Sequence, residues 1–377
     1  MSKHFDVIVV GLGAMGSSTC GELARRGAKV LGLEQFNLLH SLGSSHGQSR
    51  MIRLAYYEHP DYVPLLKRAH ELWRKMETTS GDIFRQSGVI YMGAPSSPLI
   101  SGSERAARLY GIAHEKLDHD QLGARFPHFE VPKDYVGMFE PDAGILRPES
   151  IIHHYLTSAL SAGVELHACE PVTSWQATDA SVEIATAKDT YTARHVIFCS
   201  GAWTGAIVRD LGVRLKVTRQ IAAWFWPRRP ELFSSEQTSS WAIDNGSGGL
   251  FYGFPMLPGY PGVKVAIHDQ GAEVQPDHVT RSFLPGDDTE IRSAICQYLP
   301  AADGPLLASH VCLYTNSPDS HFIVDRHPRH ERVIVACGFS GHGFKFASVM
   351  GEILADLALS GTSPLPLQFL GLKRFAI

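Results

Sequence analysis

The sequence predicts an α/β protein of two domains, one built on a parallel sheet and the other on a mostly antiparallel sheet. Three observations favour this fold class. A buried strand, a glycine-rich turn and a helix open the chain at residues 5–26, which is the order of a parallel βα unit. A second strand with a small-residue turn follows at residues 194–203. Residues 216–300 alternate short apolar runs with proline and glycine turns.

Bulk composition is that of an ordinary globular protein and excludes several classes of function. The 377 residues are enough for roughly two to three domains. The chain is 44% hydrophobic and its net charge is −4, so we expect no nucleic-acid surface. No apolar run approaches the roughly 20 residues of a membrane span, and the first strand leaves no room for a signal peptide. These features predict a cytoplasmic protein without membrane contact.

Cysteine and histidine spacing gives no sign of a metal site. The six cysteines are scattered, with no C-x-x-C pair, which predicts that most are buried free thiols. No cluster has the spacing of zinc ligands. His327 and His330 lie in a basic loop, where we expect them to be solvated. We therefore predict no metal.

The opening segment carries a G-x-G-x-x-G turn at Gly11, Gly13 and Gly16, directly after the apolar run at 7–10. In such turns the first glycine allows the tight bend, the second lets a pyrophosphate approach, and the third lets helix and strand pack closely. Glu34 ends the next apolar run, where a carboxylate can bind ribose hydroxyls. The segment predicts a Rossmann-like dinucleotide site. The acidic residue argues against NADP, and the N-terminal position slightly favours FAD over NAD.

A polar loop at residues 41–53 contains Arg50 and Arg53, separated by two apolar residues. Arginine presents a rigid fork of donors that suits a carboxylate or a phosphate. Composition alone slightly favours the plainer interpretation, which is a pair of surface arginines.

The middle of the chain predicts a helix, several short elements and a meander. Apolar residues recur every three or four positions over 61–78, which indicates an amphipathic helix. We expect a strand at 86–93 and further helices at 101–110, 120–125 and from Pro148. A meander at 172–193 leads into the strand at 194–203. This order is typical of flavoproteins with two dinucleotide-binding domains.

The second domain is predicted from alternating strands at 221–226, 250–254 and 263–268. Lys264 and His268 are four residues apart on one strand, so their side chains share a face. This face is either an anion-binding wall or a solvated surface, and composition does not decide between them.

The chain ends with strands at 311–315, 322–325 and 333–337, a glycine loop at 338–345 and a helix at 346–359. Strand, glycine loop and helix repeat the order of the opening segment. We therefore expect this loop to present backbone N–H groups to one edge of a cofactor.

These motifs resemble the monomeric sarcosine oxidase and N-methyltryptophan oxidase family of flavoproteins, over nearly the whole chain. The resemblance rests on residues 11–16, 43–53, 312–315 and 338–346. It departs from the family's usual G-S-H-H-G-D-T-R at Ser45, Gln48 and Ser49, which flank the flavin and leave both arginines in place. These departures affect fine tuning rather than the cofactor.

The resemblance implies FAD, attached covalently through a thioether at Cys312. It places Arg50 against the flavin and Lys264 near flavin N5, where the lysine activates oxygen. The catalytic group would be Lys264, Arg50, His268 and Tyr314, and the substrate carboxylate would be held by Arg53 and Lys345, with Tyr252 lining the pocket. Cofactor contacts would come from Gly11, Gly13, Gly16, Glu34, Ser44, Val172, Cys312, Gly341 and Lys345.

The implied reaction is oxidation of a secondary amine such as sarcosine or N-methyltryptophan, with hydride passing to the flavin and oxygen reduced to peroxide. The imine would then hydrolyse to an amine and an aldehyde. Oxidation of pipecolate or a fructosyl amino acid, a dehydrogenase that uses a partner acceptor, and a non-catalytic module are the alternatives. Trp224, Phe225 and Trp226 weakly suggest a pocket for side chains larger than that of sarcosine.

The resemblance also predicts a monomer whose partners are a small secondary amine and O2. We expect the FAD-binding domain to comprise residues 1–80, 143–215 and 311–377. The substrate-binding domain would comprise residues 81–142 and 216–310.

Overall fold

The computed structural model describes residues 3–244, 246, 249–260, 262–268 and 271–375. None of the helices in these ranges is long and apolar enough to cross a membrane. The α-helices of the described ranges are α1 (Ala14–Arg25), α2 (Tyr62–Ser80), α3 (Ser103–Tyr110), α4 (His119–Arg125), α5 (Pro148–Ser161), α6 (Thr204–Ile207), α7 (Thr289–Tyr298) and α8 (Ala347–Ser360).

The strands form three sheets. They are β1 (Lys3–Val10), β2 (Val30–Leu33), β3 (Arg50–Ile52), β4 (Phe84–Gln86), β5 (Val89–Gly93), β6 (Glu115–Leu117), β7 (Val136–Glu140), β8 (Gly144–Leu146), β9 (Glu165–His167), β10 (Val172–Ala177), β11 (Val182–Thr186), β12 (Thr190–Phe198), β13 (Lys216–Phe225), β14 (Ser240–Asp244), β15 (Leu250–Phe254), β16 (Val263–His268), β17 (Leu306–Asn316), β18 (Ile323–His327) and β19 (His330–Cys337).

The first sheet has a parallel centre in the order β9-β2-β1-β12-β19. Val7 and Val9 face the core that contains α1, α5 and α8, while Ile8 and Val10 face the opposite core. Burial of both faces explains the continuous apolar run in β1. The meander β10–β11–β12 continues the sheet through antiparallel pairs, as the sequence predicts.

The second sheet has the order β17-β13-β16-β15-β14-β5-β7-β6, and all its pairs are antiparallel except β14 with β5. One face carries Phe225, Val265 and Phe251 into a core shared with α7. The other face turns toward the first sheet and carries Lys264 and Ala266. The third sheet joins β3, β8 and β4 between the two. The predicted fold class is thereby confirmed, and the division into two domains stays a prediction.

The expectation for His327 is wrong. Its side chain is buried, and both ring nitrogens have partners. Nε2 lies 3.1 Å from Oδ1 of Asp210, and Nδ1 accepts the Arg329 backbone N–H at 3.2 Å. Asp210, His327 and His330 lie close enough to share an ion. However, the Arg329 guanidinium also binds Asp210, and accepting at Nδ1 leaves the proton on Nε2, the tautomer that cannot ligate there. The cluster is an ion pair between Asp210 and Arg329 that a neutral His327 joins through a hydrogen bond, with Trp175 against the imidazole ring.

Candidate active site

The glycine turn connects the end of β1 to α1. At two of its positions there is no room for a side chain. Gly11 has φ +93°, and a Cβ there would lie 2.6 Å from the Cys199 carbonyl oxygen. A Cβ on Gly16 would lie 1.8 Å from the Gly11 oxygen. Gly11 therefore lets the turn lie against the segment that follows β12, and Gly16 lets helix α1 pack against the turn and β1.

Glu34 ends β2 and lies beside this turn. Its carboxylate accepts the backbone N–H of Leu12 at 2.9 Å and that of Phe36 at 3.1 Å. Ser45, from the polar loop, accepts the Ala14 N–H at the start of α1 at 3.2 Å. The carboxylate also lies 3.4 Å from His40 Nε2 and lines the cavity beside the glycine turn, where it could accept hydrogen bonds from a ribose.

One cavity runs from the glycine turn to the antiparallel sheet. It contains the predicted cofactor residues from both ends of the chain: Gly11, Gly13, Glu34, Ser44, Val172, Cys312, Gly341 and Lys345 all line it. Gly16 does not line it and acts through packing. The residues fit FAD, since a Cβ on Gly13 would meet only Ser45, at 3.3 Å, and the turn exposes its backbone to the cavity.

The wall of the cavity is the face of the antiparallel sheet that turns toward the first sheet. Lys264 and His268 lie on this face of β16, with Tyr252 on β15 opposite Ala266. Cys312 and Tyr314 follow on β17, at alternate positions of the strand. The structure therefore brings together the wall residues that the sequence proposes from three separate segments.

Lys264 is buried, so its face is not a solvated surface. Its Nζ donates to the carbonyl oxygens of Gly47 at 2.6 Å and Ser49 at 2.9 Å, and to Ser49 Oγ at 3.2 Å. Three acceptors match the three N–H bonds of an ammonium. Burial, followed by the nearby Arg50 charge, holds the pKa of Lys264 well below its usual range.

The interpretation of Arg50 and Arg53 as surface arginines is wrong for Arg53, which is buried, and only partly right for Arg50, which is half-buried. Arg53 is 6% exposed, binds Glu58 through Nη2, and lies over the ring of Tyr56 with its Cζ 4.1 Å from the ring centroid. Arg50 is half-buried and donates to the carbonyl oxygens of Ser49 and Ser44, both at 2.8 Å. Both side chains line the cavity.

Lys345 lies at the same end of the cavity as Arg53. Its Nζ donates to the His342 carbonyl oxygen at 2.7 Å and lies 5.2 Å from the centroid of the Tyr56 ring. Burial, followed by the charge of Arg53, lowers the pKa of Lys345 to about 7. Arg53 and Lys345 therefore form a buried cationic pair that is partly balanced by Glu58.

The remaining predicted residues complete the wall. His268 Nδ1 lies 3.3 Å from the Tyr314 hydroxyl, and Tyr314 also hydrogen-bonds Tyr252. Burial raises the pKa of both tyrosines, so both are neutral at physiological pH. A Cβ on Gly341, which has φ +79°, would lie 2.4 Å from the Tyr314 ring.

Cys312 and Ser44 meet at the near side of this wall. Cys312 Sγ is buried and lies 3.6 Å from His46 Nε2. The Ser44 hydroxyl donates to the carbonyl oxygen of Leu313. All six cysteines are free, and all except Cys169 and Cys296 are buried. This confirms the prediction that most of them are buried free thiols.

The aromatic triplet does not shape the cavity as expected. Trp224 packs beside Lys264, with Nζ 5.3 Å from its ring, and does not line the cavity. Phe225 lies on the opposite face and Trp226 is exposed. The sequence reasoning also missed Glu58 and Glu149, since nothing local to an acidic residue shows which distant backbone or arginine it will meet.

Comparisons with known proteins agree with this site. Residues 6–357 match the family described as FAD dependent oxidoreductase. The chain is 41% identical to the monomeric sarcosine oxidase of Streptomyces avermitilis, covering 100% of this chain and 99% of the relative. It is 35% identical to the N-methyl-L-tryptophan oxidase of Salmonella heidelberg, covering 99% of each.

The fold is also similar to that of NikD, described as an unusual amino acid oxidase essential for nikkomycin biosynthesis. The Tyr258Phe mutant of NikD in its open form superposes with a TM-score of 0.85 at 25% identity, covering 98% of this chain and 97% of NikD. Family match, full-length identity and superposition agree with one another. The chain belongs to the FAD dependent oxidoreductase family, among the sarcosine and N-methyltryptophan oxidases that its motifs resemble.

Proposed function

We propose that this protein is an FAD-dependent oxidase of N-methyl amino acids such as sarcosine or N-methyltryptophan. The observation that carries the proposal is the buried pair of cations, Arg53 and Lys345, at one end of the cavity that begins at the glycine turn. The names of the full-length relatives support the same activity.

In this proposal, Arg53 and Lys345 bind the substrate carboxylate. Both cationic groups contact the ring of Tyr56, and both line the same cavity. Arg53 is paired with Glu58, so an incoming carboxylate competes with Glu58 for the guanidinium. Glu58 balances part of the positive charge before the substrate arrives, which lowers the free-energy cost of burying two cations.

The same cations favour the reactive form of the substrate. Oxidation of a secondary amine requires a neutral nitrogen, and nearby positive charge lowers the pKa of an amine. The polar atoms of His268 and Tyr314 orient the substrate along the wall. FAD supplies the redox chemistry when bound, taking a hydride equivalent from the carbon beside the nitrogen, and water then hydrolyses the imine to an amine and an aldehyde.

We further propose that Cys312 holds FAD through a thioether. The support is its position, because the thiol is buried on the wall that faces the cavity. Lys264 is assigned to the reaction with O2, since a buried cation stabilises the negative charge that develops as oxygen is reduced to hydrogen peroxide. A dehydrogenase with a partner acceptor would have no use for this cation. We infer a monomeric enzyme, in line with the name of the Streptomyces relative, and a cytoplasmic location.

The test is an anaerobic titration of the purified protein with sarcosine, N-methyltryptophan, pipecolate and a fructosyl amino acid. We expect an N-methyl amino acid to bleach the flavin, and colour and peroxide to appear when air is admitted. If only pipecolate or only the fructosyl compound bleached the flavin, the proposed substrate would belong to that class instead. Bleaching without reoxidation by air would indicate a dehydrogenase.

A further inference from the structure

The carboxylate of Glu149, in the first turn of α5, binds the back of the loop that holds Lys264. Its Oε1 accepts the backbone N–H of Gly47 at 2.7 Å, and both of its oxygens accept the N–H of Gln48 at 3.1 Å. Position in the first turn also stabilises its negative charge, because the N-terminus of a helix is the positive end of its dipole.

The loop segment at residues 47–49 contacts Glu149 on one side and Lys264 on the other, and it has an unusual backbone. Gly47 has φ +99° and Gln48 has φ +69°, so two consecutive residues are left-handed. Consecutive left-handed residues cost free energy unless their surroundings hold them, above all where one is not glycine. In this conformation the two N–H groups point to Glu149, while the carbonyl oxygens of Gly47 and Ser49 point to Lys264.

Charge links the same two residues. The charged and titratable groups around Lys264 are Arg50 on β3, Cys312 and His310 on β17, His46 in the loop and Glu149 on α5. In the described part of the chain, Glu149 is the one carboxylate among them. Burial and Arg50 lower the pKa of Lys264, whereas Cys312, as a free thiol, and then Glu149 raise it. A thioether at Cys312 would carry no charge, which leaves Glu149 as the raising group.

We propose that Glu149 is a positioning residue for Lys264, which fixes the loop that supplies the acceptors of the lysine and keeps its amine charged. The role rests on the proposed function, in which the Lys264 cation promotes reaction with oxygen. Glu149 contacts the loop backbone rather than the reacting groups, so it acts through Lys264.

The first test separates the two half-reactions in Glu149→Gln, whose amide oxygen still accepts a backbone N–H but carries no charge. We expect anaerobic bleaching by saturating substrate to change less than about twofold, and reoxidation by O2 to slow by about tenfold at neutral pH, because the Lys264 amine loses the carboxylate that favours its charged form. The pH above which reoxidation slows should move to a lower value. If Glu149→Gln were reoxidised at the wild-type rate and with the wild-type pH dependence, the proposal would be overturned.

Glu140→Gln is the matched control. Glu140 is a buried carboxylate that accepts the N–H groups of Leu54 at 2.6 Å and Ala55 at 3.1 Å, so it holds the Arg53 side of the same loop. This variant should weaken substrate binding and leave the reoxidation rate within about twofold. Equal slowing of reoxidation in the two variants would mean general disturbance of the loop, and would overturn the proposal.

A double-mutant cycle tests the link between Glu149 and Lys264 without using activity. Urea unfolding midpoints of the holoenzyme are measured for wild type, Glu149→Gln, Lys264→Met and the double variant. We expect Glu149→Gln to lower the midpoint in wild type and to have a much smaller effect beside Lys264→Met. Additive effects would overturn the proposal. Coupling together with normal reoxidation of Lys264→Met would support the link and refute the oxygen role of Lys264 instead.

Discussion

Binding of a carboxylate should weaken above neutral pH because Lys345 must be charged to bind it. Burial and Arg53 lower the pKa of Lys345 to about 7, so the free enzyme holds this lysine protonated at pH 6 and mostly neutral at pH 9. An anion favours the protonated form, so binding above pH 7 must take up one proton. Affinity then approaches a fall of about tenfold per pH unit, which amounts to about 50-fold, or about 2.3 kcal/mol, between pH 7 and pH 9.

Other groups at this end of the cavity do not change charge in that range. Burial raises the pKa of Glu58, but the Arg53 guanidinium outweighs this effect and holds the pKa below its usual value, so Glu58 stays ionised. Burial lowers the pKa of His342 to about 3, so it stays neutral. A ligand without an amine isolates the effect, and methoxyacetate replaces the nitrogen of sarcosine with an ether oxygen that does not titrate.

The assay is calorimetric titration of the holoenzyme with methoxyacetate from pH 6 to pH 9, in two buffers that differ in ionisation enthalpy. The difference between buffers gives the protons taken up, which should rise from near zero at pH 6 to about one at pH 8.5. Lys345→Met should bind more weakly at pH 6 and lose the pH dependence. A dissociation constant that is flat across this range in wild type would refute the role of Lys345.

Four further outcomes are expected. Cys312→Ala should release its flavin on denaturation, and flavin that still travels with the unfolded chain would place the attachment elsewhere. Lys264→Met should slow reoxidation by O2 far more than anaerobic reduction, and equal losses would remove its assigned role. Glu58→Gln should bind methoxyacetate more tightly and lower the free energy of unfolding by about 3 kcal/mol, as measured in urea, because Arg53 loses its buried partner. Gly16→Ala should abolish FAD retention, since its Cβ would lie 1.8 Å from a carbonyl oxygen, whereas Gly123→Ala, with nothing within 4 Å, should retain flavin like the wild type.

Periodicity and glycine spacing were sufficient to predict the fold class. The apolar run at 7–10 is parallel strand β1, and the shared face of Lys264 and His268 follows from the two-residue period of β16. These signals are local, so one sequence contains them. The strand of Trp224 was also predicted, but which of its residues lines the cavity depends on packing against another sheet.

The charge partners in the site could not be predicted in this way. Arg53 and Glu58 are five residues apart, yet the loop between them has no regular period that would direct the two side chains together. Glu149 meets Gly47 from 102 residues away, and His327 meets Asp210 from 117 residues away. Burial of such groups follows from tertiary structure, and polar composition alone argues against it. The family resemblance, rather than composition, is what assigned a role to Arg53.

Residues 43–53 connect all parts of the site, which gives the departures from the family pattern a physical meaning. Ser45 accepts a hydrogen bond from the start of α1, and Ser49 supplies the third acceptor of Lys264. Gln48 takes a left-handed conformation that Glu149 holds from behind. Each departure therefore touches a different contact: the glycine turn, Lys264 and the Glu149 carboxylate. Because one short segment carries these contacts and also Arg53, we expect a shift of its backbone to alter cofactor binding, reaction with oxygen and substrate binding together.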